Sequence, residues 1–305
     1  TLFCGVGGAV SAGVPLHFLV ARFGWRPVMF VAAAVLLFIG AAIWLIIRDD
    51  PADRGYRSFA PPEPEAFFSL AALRNDLVTV FRYRNIWLLS LVGCGLTGPV
   101  LTFTGLWGVP FFTTHYGLPV AASSAITSTL LICYAAGATL LGILSDRIGL
   151  RKPVMFAGSV VALLCWIPIL FFPGLPVWLL VSMVILVGLA SGSVTLGFAF
   201  VKESVPSRFA GTVSGVYNMG SILGAMILQP AIGWLLDLSW RGTLAGGVRI
   251  YALAAYRSGF FLIIAFSILA ALAIGFTAET HCRQEGAPEK IRAGQGSLGF
   301  CRKKD

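Results

Sequence analysis

Long apolar runs without charge alternate with short polar segments along the chain. Eight of these runs are candidate membrane-crossing helices: 2–20, 27–47, 87–111, 121–144, 153–172, 177–200, 212–236 and 258–277. Each is close to the ~20 apolar residues that cross a bilayer as a helix, and none alternates as barrel strands do. Because lipid offers no partner to free backbone groups, these runs must be helical. The pattern predicts an all-α integral membrane protein with eight transmembrane helices.

Two longer polar segments suggest how the chain is divided. In the first segment, residues 48–86, apolar residues recur at helical spacing from Leu70 to Phe81 between charged residues, which predicts an amphipathic helix on the membrane surface. The second segment, residues 279–305, combines glycine, proline and charge without a periodic apolar face, which predicts disorder. The predicted domains are two helices in 1–47, a linker in 48–86, six helices in 87–278 and a tail in 279–305.

Composition and charge agree with a membrane protein. The chain is 57% hydrophobic and 11% charged, with a mean hydropathy of +0.87, which is more apolar surface than a soluble core requires. Its net charge of +9 does not indicate nucleic-acid binding, because the basic residues lie between apolar runs. Counted on alternate loops, 17 of the 22 lysines and arginines fall on the side that carries the linker and the tail. The positive-inside rule therefore predicts a multi-pass inner-membrane protein with linker and C-terminus in the cytoplasm.

The polar segment after the fourth run is short, basic and rich in glycine. It reads Gly142-Ile-Leu-Ser-Asp146-Arg147-Ile-Gly149-Leu-Arg151-Lys152. A charged residue costs about 2.5 to 3.5 kcal/mol at a helix centre, so these charges must lie at the water interface. Gly142 is placed where two helices can approach closely, and Gly149 where the backbone must turn sharply. The simplest interpretation is a positive-inside anchor between two helices.

The pattern G-x-x-x-D-R-x-G-x-R-K in this segment resembles the signature cytoplasmic loop of the major facilitator superfamily, whose transporters have two halves of six helices. The segment Lys202-Glu203-Ser-Val-Pro206-Ser-Arg208 is similar to the acidic and basic turn of the same family. The resemblance implies that Glu203 pairs with Arg147 or Arg151 and locks the inner gate while the outer side is open. In the alternative interpretation, Glu203 and Arg208 only end one helix and begin the next. The predicted gate residues are Gly142, Asp146, Arg147, Gly149, Arg151, Lys152, Glu203 and Arg208.

An internal repeat bears on the order of the helices. The spacing from Pro15 to Trp25-Arg26 equals that from Pro230 to Trp240-Arg241. If the two segments are equivalent, the first two helices are the last two of an N-terminal half, and four further helices precede Thr1. The chain is then a fragment of a bacterial-type transporter. The alternative is chance, because these residue types are common at membrane interfaces.

Polar residues inside the runs define a candidate substrate cavity. Transporters of this kind bind their solute near the bilayer midplane, at broken helices. Pro99 removes a backbone donor, so Gly98 and Pro99 are predicted to break the third helix. The alternative for each polar residue is a hydrogen bond between helices, worth about 0.6 kcal/mol on average. The candidate cavity residues are Thr97, Thr102, Trp107, Tyr134, Ser193, Tyr217, Asn218 and Gln229.

These features together predict a secondary transporter that moves a small polar or organic-ion solute by alternating access. No run has Asp, Glu, Lys or Arg in its interior, so a coupling proton or ion would use residues elsewhere, or transport is facilitated. The sequence carries no enzyme or metal-site motif, so no cofactor is expected. The alternatives are a solute sensor of the same fold or a multi-span lipid-modifying enzyme. Membrane lipid and the solute are the expected partners, nucleic acid is not, and a monomer is expected.

Overall fold

A computed structural model describes residues 14–48, 69–172, 174–245 and 248–284, with positions 5, 7, 8 and 55. The first predicted run, 2–20, lies only partly within these residues. Most of the predicted linker and the tail from residue 285 lie outside them. The contacts within the chain divide it into two compact units. The first unit is residues 11–74, and the second unit combines residues 1–10 with residues 75–305.

The first unit contains two consecutive helices, α1 (Val14–Phe23) and α2 (Trp25–Ile46). Gly24 separates them with φ 81°, a left-handed conformation that glycine adopts without steric cost. The α2 helix has 22 residues and a purely apolar sequence after its first turn. Arg26 stacks on the ring of Trp25 at 4.7 Å, a combination suited to a membrane–water interface.

The second unit is a bundle that begins within α3 (Leu70–Val80), inside the segment predicted to be amphipathic. Several helices are interrupted by irregular turns, and a small antiparallel hairpin joins α10 to α11. Its elements are α4 (Arg84–Thr102), a π-helical turn (Phe103–Trp107), α5 (Gly108–His115), α6 (Val120–Ile148), α7 (Lys152–Phe171), α8 (Val177–Ser191), a 3₁₀ turn (Gly192–Thr195), α9 (Leu196–Glu203), a 3₁₀ turn (Ser207–Phe209), α10 (Ala210–Leu238), β1 (Leu244–Ala245), β2 (Val248–Arg249) and α11 (Leu253–Gly275).

Among the described residues, seven helices are long and apolar enough to cross a membrane. They correspond to the second through eighth runs, with α4 and α5 forming one span and α8 and α9 another. The all-helical membrane architecture predicted from run length is therefore confirmed for these seven. The α10 helix begins a few residues after Glu203, which pairs with Arg151, and it ends at Leu238, next to Asp237. The two ends of the bundle are therefore named the Arg151 end and the Asp237 end.

The centre of the bundle is a close crossing of α4 with α10. A Cβ atom on Gly98 would lie 2.9 Å from the backbone of Gly224, so the two backbones touch without side chains between them. Small residues permit such contacts in membrane bundles, where packing replaces the hydrophobic driving force. Gly98 thus serves helix packing.

The irregular backbone of the third span lies beyond the predicted position. The α4 helix continues through Pro99, and the π-helical turn begins at Phe103, where the N–H of Gly108 bonds the carbonyl of Phe103. The predicted break at Gly98 and Pro99 is thus displaced by about one turn. A proline removes only its own N–H bond, and a helix held by its neighbours can continue through it.

Side chains pack into two clusters, one toward each end of the bundle. The Arg151-end cluster includes Ile86, Leu89 and Phe200 with residues of α10 and α11. The Asp237-end cluster is aromatic: the Phe103 ring lies 5.1 Å from that of Trp166 and 5.4 Å from that of Phe112. Edge-to-face aromatic pairs add about 0.5 to 1.5 kcal/mol each beyond their buried area. The π-helical turn is therefore held by the rings around Phe103.

Candidate functional site

The Arg151 guanidinium is the centre of an ion cluster at one end of the bundle. Its Nη1 donates to Asp146 Oδ1 at 2.6 Å, and its Nη2 donates to Glu203 Oε1 at 2.9 Å. Nη1 also donates to the Ser145 hydroxyl at 3.1 Å. Arg151 is 8% exposed, so its charge is held between α6 and α9 and not in open solvent.

The turn between α6 and α7 places Arg151 in this position. Gly149 ends α6 with φ 74° and ψ 21°, the left-handed conformation in which a residue with Cβ is strained. The N–H groups of Gly149 and Leu150 both donate to the Ser145 carbonyl, at 2.9 and 3.3 Å. The sharp turn at Gly149 agrees with the sequence prediction. Arg151 lies two residues after Gly149, immediately before α7, and its side chain turns back to Asp146 near the end of α6.

Burial and pairing oppose each other at Arg151. Burial disfavours the charged guanidinium, but the hydrogen bonds and charge of Glu203, followed by the hydrogen bond of Asp146, outweigh it and raise the pKa of Arg151. The Glu203 side chain is 13% exposed and that of Asp146 is 55% exposed. Glu203 is therefore the buried partner, and its loss would leave a buried charge poorly compensated.

Glu279 completes the cluster, and the sequence reasoning missed it. Its carboxylate accepts from the backbone N–H groups of Arg151 at 3.0 Å and Lys152 at 2.8 Å. It thereby caps the start of α7, where free N–H groups and the helix dipole favour a negative charge. Thr280 donates its hydroxyl to Glu203. The sequence prediction therefore places the start of the disordered tail too early, because residues 279 and 280 make hydrogen bonds to the cluster.

The other predicted gate residues lie around this cluster but are not all part of it. Lys152 Nζ donates to the carbonyls of Gly275 at 2.7 Å and Thr277 at 2.8 Å, at the end of α11. Arg208 is exposed and stacks on Phe209, with 4.5 Å from guanidinium to ring. Arg147 is exposed and makes no ion pair among the described residues. Gly142 was predicted to lie where two helices approach closely, but a Cβ atom placed on it would have no neighbour within 4 Å among the described residues.

Four of the predicted cavity residues lie at similar depth: Thr97, Tyr134, Ser193 and Tyr217. Each is ten to fourteen residues from the Arg151 end of its span, counting the span of Tyr217 from Ser207, which is roughly 15 to 21 Å along a helix in a hydrocarbon core of about 30 Å. Tyr134 packs against both core clusters, and the Thr97 hydroxyl is buried without a hydrogen-bond partner among the described residues. The Tyr217 hydroxyl donates to the Val194 carbonyl within the 3₁₀ turn. Ser193 lies in the same turn, buried and without a hydrogen-bond partner among the described residues.

The remaining predicted cavity residues lie elsewhere. Trp107 Nε1 donates to the Gln229 carbonyl at 3.3 Å, and Gln229 Nε2 to the Leu101 carbonyl at 3.4 Å, nearer the Asp237 end. Asn218 is exposed although its neighbour Tyr217 is buried, so the two face different ways. Thr102 is buried with no partner in the described part of the chain. The predicted set therefore separates into several groups, which sequence position alone did not distinguish.

A different cluster occupies the Asp237 end. Asp237 Oδ1 accepts from Arg249 Nη1 at 2.7 Å and from the Tyr251 hydroxyl at 2.6 Å, while Arg249 stacks on Trp240 at 4.6 Å. The hydrogen bond and charge of Asp237 raise the pKa of Arg249. This cluster fixes the β1–β2 hairpin against the end of α10. In the described residues, no group of three or more His, Cys, Asp or Glu is placed to hold a metal ion.

Three known transport proteins are similar in sequence to this chain. It is 22% identical over 78% of its length to the "Probable nitrate/nitrite antiporter NarK1" of Thermus thermophilus and 26% identical over 77% to the "Probable sulfoacetate transporter SauU" of Cupriavidus necator. It is 31% identical over 54% of its length to the "Inner membrane transport protein YnfM" of Escherichia coli. The matches cover 54%, 56% and 39% of these relatives, so the chain spans about half of their length.

A solved structure shares the fold of this chain, and a family model identifies its family. A crystal structure of a bacterial homolog to the human lysosomal transporter Spinster, inward-facing and unoccupied, matches 87% of this chain and 61% of its own. Its TM-score is 0.56 at 19% identity, which is a likeness of fold alone. The model of the Major Facilitator Superfamily matches residues 107–295, well over half of the chain. The chain, a multi-pass membrane protein by its spans, therefore belongs to the Major Facilitator Superfamily.

Proposed function

We propose that this chain is part of a secondary transporter that moves a small polar or organic-ion solute across the inner membrane by alternating access. The observation that carries the proposal is the ion cluster in which the buried Arg151 joins the exposed Asp146 to the largely buried Glu203. Such a cluster has two discrete arrangements, formed and broken, because a partly formed buried ion pair is costly. Its rupture would accompany opening of the Arg151 end to water.

In this proposal the Arg151 end faces the cytoplasm. The excess of lysine and arginine on that side supports the orientation. We further propose that α1 and α2 belong to an N-terminal half, and that the bundle from α4 to α11 is the C-terminal half. The solute would bind near the bilayer midplane, as in other transporters built from repeats. A monomer would suffice for such a cycle.

The candidate solute site is the mid-depth group of Thr97, Tyr134, Ser193 and Tyr217. The 3₁₀ turn at Gly192–Thr195 supports it, because irregular backbone at membrane depth is tolerated where it lines a cavity or is buried in protein. The buried Ser193 hydroxyl, lacking a partner among the described residues, supplies a group that gains by binding a polar solute. The spans described carry no cation at this depth, so an anionic solute would take its counter-charge from the other half.

The names of two relatives suggest which solutes to test first. Those proteins are named for nitrate, nitrite and sulfoacetate, which are small anions. We propose small anions as the first class, with any coupling proton or ion bound by residues of the N-terminal half.

The test is counterflow in proteoliposomes. The full-length protein that contains this chain is reconstituted, and uptake of labelled nitrate or sulfoacetate against unlabelled internal solute is measured. We expect counterflow that is reduced strongly by Ser193→Ala with Tyr217→Phe and unchanged by Arg241→Gln, an exposed charge at the other end. Saturable binding without counterflow would instead support a sensor and refute transport.

A further inference from the structure

A pocket of about 420 Å³ opens at the Arg151 end, beside the ion cluster but distinct from the mid-depth group. It lies between the start of α4 and the segment that follows α11, with Arg84 and Arg283 in its wall. Its volume falls within the range of small-molecule pockets, about 300 to 1,000 Å³. Alternating access does not require this pocket, so its polar wall needs a separate explanation.

The two carboxylates in the wall are already saturated. Glu203 accepts from Arg151 Nη2 at 2.9 Å and Nε at 3.2 Å, and its second oxygen accepts from the Thr280 hydroxyl. Glu279 accepts from four backbone N–H groups, those of residues 151, 152, 280 and 281. Each negative charge is therefore compensated by a cation or by the start of α7. Neither carboxylate is free to attract a cation into the pocket.

The arginines in the wall are not compensated in the same way. Arg84 and Arg283 are exposed, and neither makes an ion pair among the described residues. The side-chain amide of Asn85, also in the wall, already makes three hydrogen bonds. It donates to the Ser204 hydroxyl and to the Ala278 carbonyl, and it accepts from the Ala278 N–H. The side chains of Tyr83 and Gln284, also in the wall, have no hydrogen-bond partner in the described part. The pocket thus presents two guanidinium groups and two neutral donors.

We propose that this pocket binds a phosphate-class anion, held by Arg84 and Arg283. Guanidinium groups match the oxygens of a phosphate through paired N–H donors, which is why arginine is preferred for this anion. The exposed Trp87, one turn beyond Arg84 on α4, places the pocket beside an apolar surface with an interfacial aromatic residue. A phosphate carried by a phospholipid headgroup and a free phosphate share this chemistry, and basic pockets between helices are known lipid headgroup sites. The lipid source rests on the proposed orientation and membrane depth, whereas the anion chemistry does not.

The consequence would be a link between the bound anion and the ion cluster. The anion would neutralise Arg84 and Arg283 while Glu203 and Glu279, in the same wall, remain bound to Arg151 and to the start of α7. It would hold the segment after α11 against α4, beyond the hydrogen bonds of Asn85. Occupation of the pocket would therefore favour the state in which the Arg151 end is closed.

The experiment measures the thermal unfolding of the purified full chain in a neutral detergent. Short-chain phosphatidylglycerol, short-chain phosphatidylcholine and inorganic phosphate are each titrated separately at constant ionic strength. A ligand that binds only the folded state raises the unfolding temperature in a saturable way, which gives an apparent Kd. We expect phosphatidylglycerol to raise it more than phosphatidylcholine does. Arg84→Gln and Arg283→Gln should each weaken the apparent Kd about tenfold.

Arg82→Gln is the matched control, because Arg82 is exposed two residues from Arg84 but does not line the pocket. It should keep the wild-type Kd. A response to phosphatidylglycerol alone identifies a lipid headgroup site, and an equal response to inorganic phosphate identifies a free-anion site; both support the proposal. Equal loss in Arg82→Gln would show a general basic surface and overturn it. Absence of any saturable shift, with all variants unfolding like wild type, would also overturn it.

Discussion

The Arg151 guanidinium contacts the Glu203 carboxylate through two of its nitrogen atoms, Nη2 at 2.9 Å and Nε at 3.2 Å. The two residues are 52 positions apart in the chain, so the contact joins the loop after α6 to the end of α9. Both side chains are largely buried, at 9% and 13% exposure. This pair therefore links two helices that are distant in the sequence at the Arg151 end.

A double-mutant cycle tests this link. Arg151→Met and Glu203→Gln each leave the other charge buried and poorly paired, so each should lower the free energy of unfolding. We expect a coupling energy of about 1 to 3 kcal/mol between them, measured by unfolding in mixed detergent micelles. The Asp237–Arg249 pair is the control, because it has a similar length of 2.7 Å but both side chains are 49% exposed. Its coupling should be clearly smaller, and additivity at Arg151 and Glu203 would contradict a lock.

Asp146→Asn tests the gate without removing the buried pair. Asp146 is 55% exposed, so the change should cost about 1 kcal/mol of stability or less. We expect the maximal rate of counterflow by the full-length protein to fall at least severalfold, while the apparent affinity for solute stays near that of wild type. Wild-type turnover in this variant would refute a role for Asp146 in the conformational cycle.

Glu279→Gln tests the cap on α7. The amide keeps the shape of the side chain but loses the charge that four backbone N–H groups share, so unfolding should become easier by about 1 kcal/mol. The measurement is the shift in unfolding temperature relative to wild type. Asp76→Asn on α3 serves as the control, because Asp76 has no ion pair in the described part of the chain. Equal shifts in both variants would show a general effect of net charge.

Cysteine labelling tests the orientation. In a background without native cysteines, Ser207→Cys and Ser239→Cys place a thiol at exposed positions before and after α10. A membrane-impermeant maleimide applied to intact cells should label position 239, and position 207 only after permeabilisation. Reversed labelling would refute the cytoplasmic assignment of the Arg151 end, and labelling of both from one side would refute α10 as a span.

The helices were predictable from the sequence because their cause is local. An apolar run such as that in α7 must be helical in lipid whatever surrounds it. The ion-pair partner of Glu203 could not be predicted, because Arg147 and Arg151 are both basic and close in sequence. The left-handed turn at Gly149 decides between them by turning Arg151 inward and leaving Arg147 exposed.

Two further features depended on contacts between distant segments. Glu279 contacts a backbone N–H 128 residues earlier, and nothing periodic marks it. A carboxylate a few residues beyond the last apolar run, on the same side as a basic loop, was the only available signal. The displacement of the irregular turn from Pro99 to Phe103 likewise depends on neighbours, including the aromatic rings around Phe103.

The touching backbones of Gly98 and Gly224 restrict how this half of the protein deforms. The two helices cannot approach each other more closely without a backbone clash. We therefore expect a rearrangement of the bundle to move α4 and α10 together. Bending is then left to the segments where the regular helical bonding is already interrupted, the π-helical turn in the third span and the 3₁₀ turn in the sixth.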